Sequence, residues 1–112
     1  EIDIQEANRY AFETTLHTPD DAAGAGGGYG ASRSSWNSSD YGPGARCVDT
    51  RRAFQVSASF PLDVEGRLVA LELTLSQEET SCSLSARLDE YHPAGRDGLA
   101  ELSASLQAGM TP

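Results

Sequence analysis

Apolar and polar residues alternate most regularly in the second half of the chain. Over residues 54–60, aromatic and aliphatic side chains alternate with Gln and Ser, which is typical of a half-buried strand. A second alternating run covers residues 69–76. Turn-forming residues 63–66 lie between the two runs, so together they predict a β-hairpin. Residues 83–88 predict a further short strand with Leu84, Ala86 and Leu88 facing inward.

The first half of the chain is less regular. Residues 1–5 predict a strand, and residues 10–17 predict another, whose polar face carries Glu13, Thr15 and His17. Residues 18–44 are rich in Gly and Ser and predict a loop region. The glycine-rich run at 24–30 predicts a surface loop. A phosphate-binding loop is disfavoured because no Gly-Lys-Ser/Thr follows the run and no buried strand leads into it.

The C-terminal part predicts one short helix. Asp97 is a good N-cap, and Gly109 lies near the expected end. Between them, apolar residues recur at helical spacing, namely Leu99, Leu102, Leu106 and Met110. The fold class is therefore mostly β, with several antiparallel strands and one short C-terminal helix.

The charge of the chain narrows the class of partner. Its 112 residues include 17 Asp and Glu against 8 Lys and Arg, a formal net charge of -9. Such an excess of acid disfavours nucleic acid and anionic membrane surfaces, whereas a neutral polysaccharide remains compatible. No apolar run is long enough to span a bilayer, so we expect no membrane span.

Cys47 and Cys82 predict either one disulfide or two half-buried thiols, and the sequence leaves both open. Their spacing fits no zinc motif, and we expect neither a metal nor a cofactor. The triplet Asn37-Ser38-Ser39 matches the N-glycosylation sequon and indicates an extracellular or secretory protein.

The first six residues, Glu-Ile-Asp-Ile-Gln-Glu, carry the strongest candidate chemistry. In a regular strand Glu1 and Asp3 share the face opposite Ile2 and Ile4. Carboxylates crowded on one face can provide an ionised nucleophile beside a protonated acid, as retaining glycosidases require.

Regular pleating would, however, turn Glu6 to the face opposite Glu1. It would also separate their Cα atoms by about 16 Å, at roughly 3.3 Å per residue. A retaining glycosidase needs its two carboxyl groups about 5 to 5.5 Å apart. We therefore predict a β-bulge between Asp3 and Glu6, which would shorten the span and bring Glu6 to the face of Glu1.

The motif Glu1-x-Asp3-x-x-Glu6-Ala7-Asn8 resembles glycoside hydrolase family 7. Weaker matches follow in the same order: His17-Thr18-Pro19, residues 41–44 (Tyr-Gly-Pro-Gly), Val48-Asp49-Thr50, Phe54-x-Val56, and the helix from Gly98-Leu99 into residues 108–110. The resemblance covers nearly the whole chain. It implies an antiparallel β-sandwich of the concanavalin A-like jelly-roll type and a retaining β-1,4-glucan hydrolase of the cellobiohydrolase and endoglucanase kind.

By this resemblance, Glu1 is the nucleophile, Asp3 tunes it, and Glu6 is the acid/base. His17 would line the substrate side near Glu6. Trp36 is a candidate sugar-stacking platform, because an aromatic face suits a pyranose ring; the alternative is a buried anchor for its loop.

Members of the family are several times longer, so residues 1–112 are interpreted as part of one family 7-like domain, a fragment that the missing part of its own domain or an assembly partner would cover. Two other functions compete with hydrolysis. One is a hydrolase-derived sandwich that serves as a non-catalytic binding or structural subunit, and the other is an acidic β domain that binds sugar without cleaving it.

Overall fold

The computed structural model describes residues 1–110 and is mostly β, with three sheets and one C-terminal helix. The first sheet, here called the acidic sheet, contains β1 (Ile2–Ala7), β2 (Phe12–Leu16), β3 (Ala25–Gly30) and β4 (Arg33–Ser34). These four strands are antiparallel and lie in sequence order. Two short parallel strands follow, β5 (Tyr41–Gly42) and β6 (Val48–Asp49).

The second large sheet, here called the leucine sheet, contains β7 (Gln55–Ser59), β8 (Leu71–Ser76) and β9 (Leu84–Leu88). Its antiparallel pairing confirms the predicted hairpin and the further strand. Leu71, Leu73 and Leu75 are buried, as their alternation predicts. The strand begins at Leu71 rather than at residue 69, because the preceding residues form the Leu62–Leu68 bridge around the turn.

The predicted helix is confirmed as α1 (Gly98–Ala108), preceded by a 3₁₀ turn at Pro93–Gly95. The Asp97 side chain accepts a hydrogen bond from the Ala100 N–H, so it caps the first turn. In residues 1–110, no helix is both long and apolar enough to cross a membrane.

The predicted bulge in β1 is confirmed. Asp3 lies opposite Thr15 and Glu6 lies opposite Glu13, so Ile4 and Gln5 together lie opposite the single residue 14 of β2. One extra residue on β1 is the arrangement of a β-bulge. The extra residue shifts the alternation after Asp3 by one position, so that Glu6 lies on the same face as Asp3. Ile4 is not buried beside Ile2 as a regular strand would place it, and it is 39 % exposed.

The prediction that the glycine-rich run is a surface loop is wrong. Residues 25–30 form β3 and pair along the whole of β2. Glycine is required here because other groups approach the backbone closely. A Cβ at Gly28, where φ is +123°, would lie 1.9 Å from the Phe12 carbonyl oxygen, and one at Gly26 would lie 2.6 Å from Arg33 Nε. The predicted loop region 18–44 also contains β4 and β5.

Two apolar clusters join the elements. One packs the aromatic rings of Phe12, Trp36 and Tyr41 against Leu73, Leu75 and Leu84, so the acidic and leucine sheets share a core. The other packs Leu16 and the leucine sheet against Tyr91 and the helix residue Leu102. Cys47, a member of the first cluster, forms a disulfide with Cys82, which packs against that cluster, so the alternative that the sequence left open is resolved.

Candidate active site

The polar face of the acidic sheet collects the side chains that the opening motif singled out. Glu1 and His17 exchange backbone hydrogen bonds of 2.9 Å in both directions, which extends the β1–β2 ladder by one pair. Residues opposite each other in an antiparallel pair share a face. Glu1, Asp3 and Glu6 therefore lie on the same face as their partners, which are His17, Thr15 and Glu13.

Asp3 and His17 form the closest side-chain contact on the polar face. Asp3 Oδ2 lies 2.8 Å from His17 Nε2, and the two side chains are 23 % and 14 % exposed. The Asp3 carbonyl oxygen also accepts a hydrogen bond from the Thr14 hydroxyl at 3.1 Å. Asp3 is thus held from two sides, whereas Glu1 and Glu6 are exposed to solvent.

The second ring nitrogen of His17 contacts the loop that follows β2. His17 Nδ1 lies 3.0 Å from the backbone carbonyl oxygen of Asp21. The Tyr91 hydroxyl donates a hydrogen bond of 2.8 Å to the Asp21 carboxylate. That bond, with smaller contributions from the Gly24 and Ala23 backbone N–H groups, holds the pKa of Asp21 below its ordinary value. Asp21 is therefore ionised at neutral pH.

Two residues of the polar face, Glu13 and Arg33, were not among the predicted site residues. Glu13 lies directly opposite Glu6, and Arg33 from β4 reaches across β3 towards it, with Nε 4.0 Å from Glu13 Oε2. Arg33 Nη2 lies 3.4 Å from the Thr15 hydroxyl. The alternation of Glu13 with Thr15 and His17 was a signal for Glu13. No local signal marked Arg33, because its approach depends on the absence of a side chain at Gly26.

A shallow depression lies beside the acid that the bulge reorients. It is lined by Glu6, Glu13, the last β1 residue Ala7, and Asn8 and Ala11 of the β1–β2 turn. Asn8 shapes this turn, because its side-chain oxygen accepts hydrogen bonds from the backbone N–H groups of Tyr10 and Ala11. The depression therefore has one acidic wall and one wall of small side chains.

The structure corrects the sugar-stacking hypothesis for Trp36. Trp36 is only 8 % exposed, and its ring centroid lies 5.9 Å from that of Phe12 in the shared core. The indole N–H donates to the Ser85 carbonyl oxygen at 2.9 Å, which ties the segment after β4 to the leucine sheet. Trp36 is the buried anchor of the alternative interpretation, and it faces away from the acids.

No group of three or more His, Cys, Asp and Glu side chains within residues 1–110 is arranged to hold a metal ion. The polar face carries the carboxyl groups of Glu1, Asp3, Glu6 and Glu13, the imidazole of His17 and the guanidinium of Arg33. Comparisons with protein-family models, curated proteins and solved structures gave no match.

Proposed function

We propose that the chain provides the catalytic strand of a retaining hydrolase that acts on cellulose-like β-1,4-glucan. The observation that carries this proposal is the β1 bulge, because it returns Glu6 to the face of Glu1 and Asp3. Retaining hydrolysis needs two carboxyl groups on one surface, one as nucleophile and one as acid/base. The resemblance of the opening motif to glycoside hydrolase family 7 supports the same assignment.

In the proposed reaction the Glu1 carboxylate attacks the anomeric carbon, and the glycosidic C–O bond breaks. Glu6 gives its proton to the leaving oxygen, so the shorter glucan departs as an alcohol and a glycosyl ester remains on Glu1. Glu6, now ionised, takes a proton from water, and that water attacks the same carbon. The ester bond breaks, Glu1 leaves as a carboxylate, and Glu6 again holds its proton.

Asp3 and His17 support this reaction by staying in contact with each other beside the nucleophile. The 2.8 Å contact gives the Asp3 carboxyl group a constant position next to Glu1 on the strand. Glu13, opposite Glu6, adds a further carboxylate next to the proposed acid/base. His17 would line the substrate side, as the resemblance implies.

The same resemblance also implies a fold type. The acidic and leucine sheets would belong to a jelly-roll β-sandwich of the concanavalin A type, completed by the rest of the domain. The Cys47–Cys82 disulfide and the sequon at Asn37 support an oxidising, secretory setting. The substrate would be a neutral polysaccharide, in keeping with the net charge of -9.

The decisive experiment measures hydrolysis of β-glucan and of aryl β-cellobiosides by the protein and by Glu1→Gln and Glu6→Gln. Glu1→Gln should lose at least about 10³-fold in kcat on every substrate, because no nucleophile remains. Glu6→Gln should lose about 10² to 10⁴-fold on β-glucan but far less on an aryl glycoside whose leaving group needs no proton. Glu90→Gln, an exposed charge-matched change, is the control.

A covalent probe identifies the nucleophile directly. A 2-deoxy-2-fluoro cellobioside with a good leaving group should label the peptide that contains Glu1, seen by mass spectrometry, and should not label Glu1→Gln. Equal hydrolysis by the protein and Glu1→Gln, or a label on another residue, would remove Glu1 from the mechanism.

A second candidate is a non-catalytic binding or structural subunit. It is favoured by the position of β1 at the edge of its sheet, where backbone groups without a neighbouring strand can pair with another chain. Glucan binding by both the protein and Glu1→Gln, with no turnover by either, would select this function.

A further inference from the structure

The ring of His17 is held at both nitrogens, and the two contacts have different chemistry. Nδ1 faces a backbone carbonyl oxygen, that of Asp21, at 3.0 Å. A carbonyl oxygen only accepts, so this hydrogen bond requires a proton on Nδ1. Nε2 faces the Asp3 carboxylate at 2.8 Å. With Nδ1 already protonated, the Nε2–Asp3 contact is a hydrogen bond only when it holds one further proton.

A histidine whose only partner was a carboxylate at Nε2 would be protonated differently. Its neutral form would place its single proton on Nε2, donate it to Asp3 and leave Nδ1 bare. The position of the Asp21 carbonyl therefore decides how many protons the Asp3–His17 pair holds. The residue that positions Asp21 therefore controls the charge of the Asp3–His17 pair beside Glu1.

The position of Asp21 is set by a residue far away in the sequence. Tyr91 lies between β9 and the helix, is 5 % exposed, and belongs to the second apolar cluster. Its hydroxyl donates to Asp21 Oδ2 at 2.8 Å and accepts from the Thr18 backbone N–H at 2.9 Å. It thus holds residues 18 and 21, the two ends of the segment that carries the carbonyl.

The helix keeps the Tyr91 ring in place. A Cβ at Gly98, the first residue of α1, would lie 2.4 Å from the ring, so only glycine lets the helix start against it. Gly98 N–H also donates to the Tyr91 carbonyl oxygen at 2.8 Å. A second bridge runs beside this contact, where Arg96 Nη2 donates to Asp20 Oδ1 at 2.7 Å.

We propose that Tyr91 is a positioning residue for His17: its hydroxyl fixes the 18–24 loop so that the Asp21 carbonyl holds a proton on Nδ1, and the Asp3–His17 pair then shares one further proton. The catalytic consequence rests on the function proposed above, whereas the protonation pattern does not. The Tyr91 hydroxyl itself contacts Thr18 and Asp21, and it affects His17 only through this loop.

The direct test is ¹⁵N NMR of the imidazole nitrogens in the protein and in Tyr91→Phe, at a pH above neutrality. His92 is the other histidine, and its signals are assigned by their loss in His92→Gln. In the unchanged protein, His17 Nδ1 should fall in the protonated range. In Tyr91→Phe, which keeps the buried ring and removes only the hydroxyl, Nδ1 should move to the unprotonated range.

Two variants separate positioning from general loosening. Asp21→Asn keeps the backbone carbonyl but weakens the bond from Tyr91, so it should shift Nδ1 in the same direction. Tyr10→Phe removes a hydroxyl from a tyrosine that is 65 % exposed, and it should change nothing. Urea unfolding of each variant shows whether the fold is retained.

Measuring activity gives a second readout, which depends on the proposed hydrolase function as well as on the position of His17. If the proposed hydrolase function holds, Tyr91→Phe should lower kcat about tenfold and leave KM within about twofold, since it removes a positioning effect rather than a binding contact. A protein without hydrolase activity would overturn the proposed function, and the NMR pattern would still decide this inference. A protonated Nδ1 in both the protein and Tyr91→Phe, or a bare Nδ1 in the unchanged protein, would overturn it.

Discussion

The leucine sheet and the acidic sheet share one core but are built in different ways. In the leucine sheet, β7, β8 and β9 pair in unbroken register, and inward leucines alternate with outward polar residues. The acidic sheet contains a bulge in β1 and a run of glycines in β3. Its loop after β2 is fastened to residues 91 and 96, beyond the leucine sheet.

The candidate site lies where the acidic sheet departs from regular strand pairing. A regular strand offers one polar side chain every second residue, at a fixed spacing. The acidic sheet departs from that spacing at Ile4 and Gln5, where Glu6 has to be turned, and at Gly26, where Arg33 needs room. The leucine sheet supplies the apolar surface on which these irregular strands pack.

Adding a side chain to the glycine-rich strand β3 should destabilise the fold more than any other change considered below. Gly28→Ala should lower the free energy of unfolding by about 4 kcal/mol or more, because the new Cβ would lie 1.9 Å from the Phe12 carbonyl oxygen at a φ of +123°. Gly66→Ala, in the turn before the leucine strand β8, is the matched control, with φ +79° and no atom near its Cβ. It should cost about 1 kcal/mol. Urea unfolding measures both, and equal losses would show that β3 tolerates side chains.

The disulfide joins the segment before β6 to the leucine sheet, at the apolar cluster that the acidic and leucine sheets share. Cys47 precedes β6 and Cys82 precedes β9, with a sequence separation of 35 residues. Closing a loop of that length stabilises the fold by roughly 3 to 4 kcal/mol. Replacing both cysteines by Ala should lower stability by that amount, and amide exchange should accelerate more in β2 and β3 than in β7 and β8. A reductant should reproduce the loss and leave the double variant unchanged. Uniform acceleration would mean that both sheets depend equally on the bond.

A pair of aliphatic substitutions compares the sheets directly. Leu73 is 1 % exposed at the centre of the leucine sheet, and Leu73→Ala should cost about 3 kcal/mol through lost burial and the cavity left behind. Ile4, at the bulge of the acidic sheet, is 39 % exposed, and Ile4→Ala should cost less than about 1 kcal/mol. Thermal unfolding of the two variants checks this. A large loss at Ile4 would show that the bulge depends on apolar packing.

The smallest effect is a difference in acid sensitivity. Hydrogen bonds from Arg96 and Thr18 lower the pKa of Asp20 to about 2 from 3.8, whereas the backbone N–H of Arg67 is the largest cause of the lowered pKa of Asp63 in the leucine-sheet turn. For Asp20, a folded-state pKa below the unfolded value means that the stabilisation is complete above about pH 4. It is lost as the pH falls towards 2.

Arg96→Gln should therefore remove most of the Asp20 contribution to this acid-dependent loss. Arg67→Gln should leave the Asp63 contribution largely intact, because the backbone N–H survives the substitution. Melting temperatures between pH 2 and pH 6 measure both. The same pH dependence in the two variants would contradict the assignment of Asp20 to a side-chain partner.

The elements that the sequence predicted are those whose pattern is local. The leucine alternation at 71–75 and the Asp97 cap define their own elements, and both are present. The bulge was predictable because chemistry and parity conflicted at Glu6. The strand at 25–30 was not, because a glycine run has no alternation and is strand only through its pairing with β2. The positions of Arg33 and Tyr91 depend on contacts between distant segments, which no local pattern records.

The position of β1 also affects the tendency of the protein to associate with itself in concentrated solution. β1 is the outermost strand of its sheet, and an outer strand offers backbone groups to which a second chain can add. Negative side chains along such a strand oppose this self-association. Replacing Glu1 or Glu6 by Gln removes one negative side chain from this edge strand. Light scattering should therefore accompany each activity measurement, because it distinguishes a loss of catalysis from aggregation of the variant.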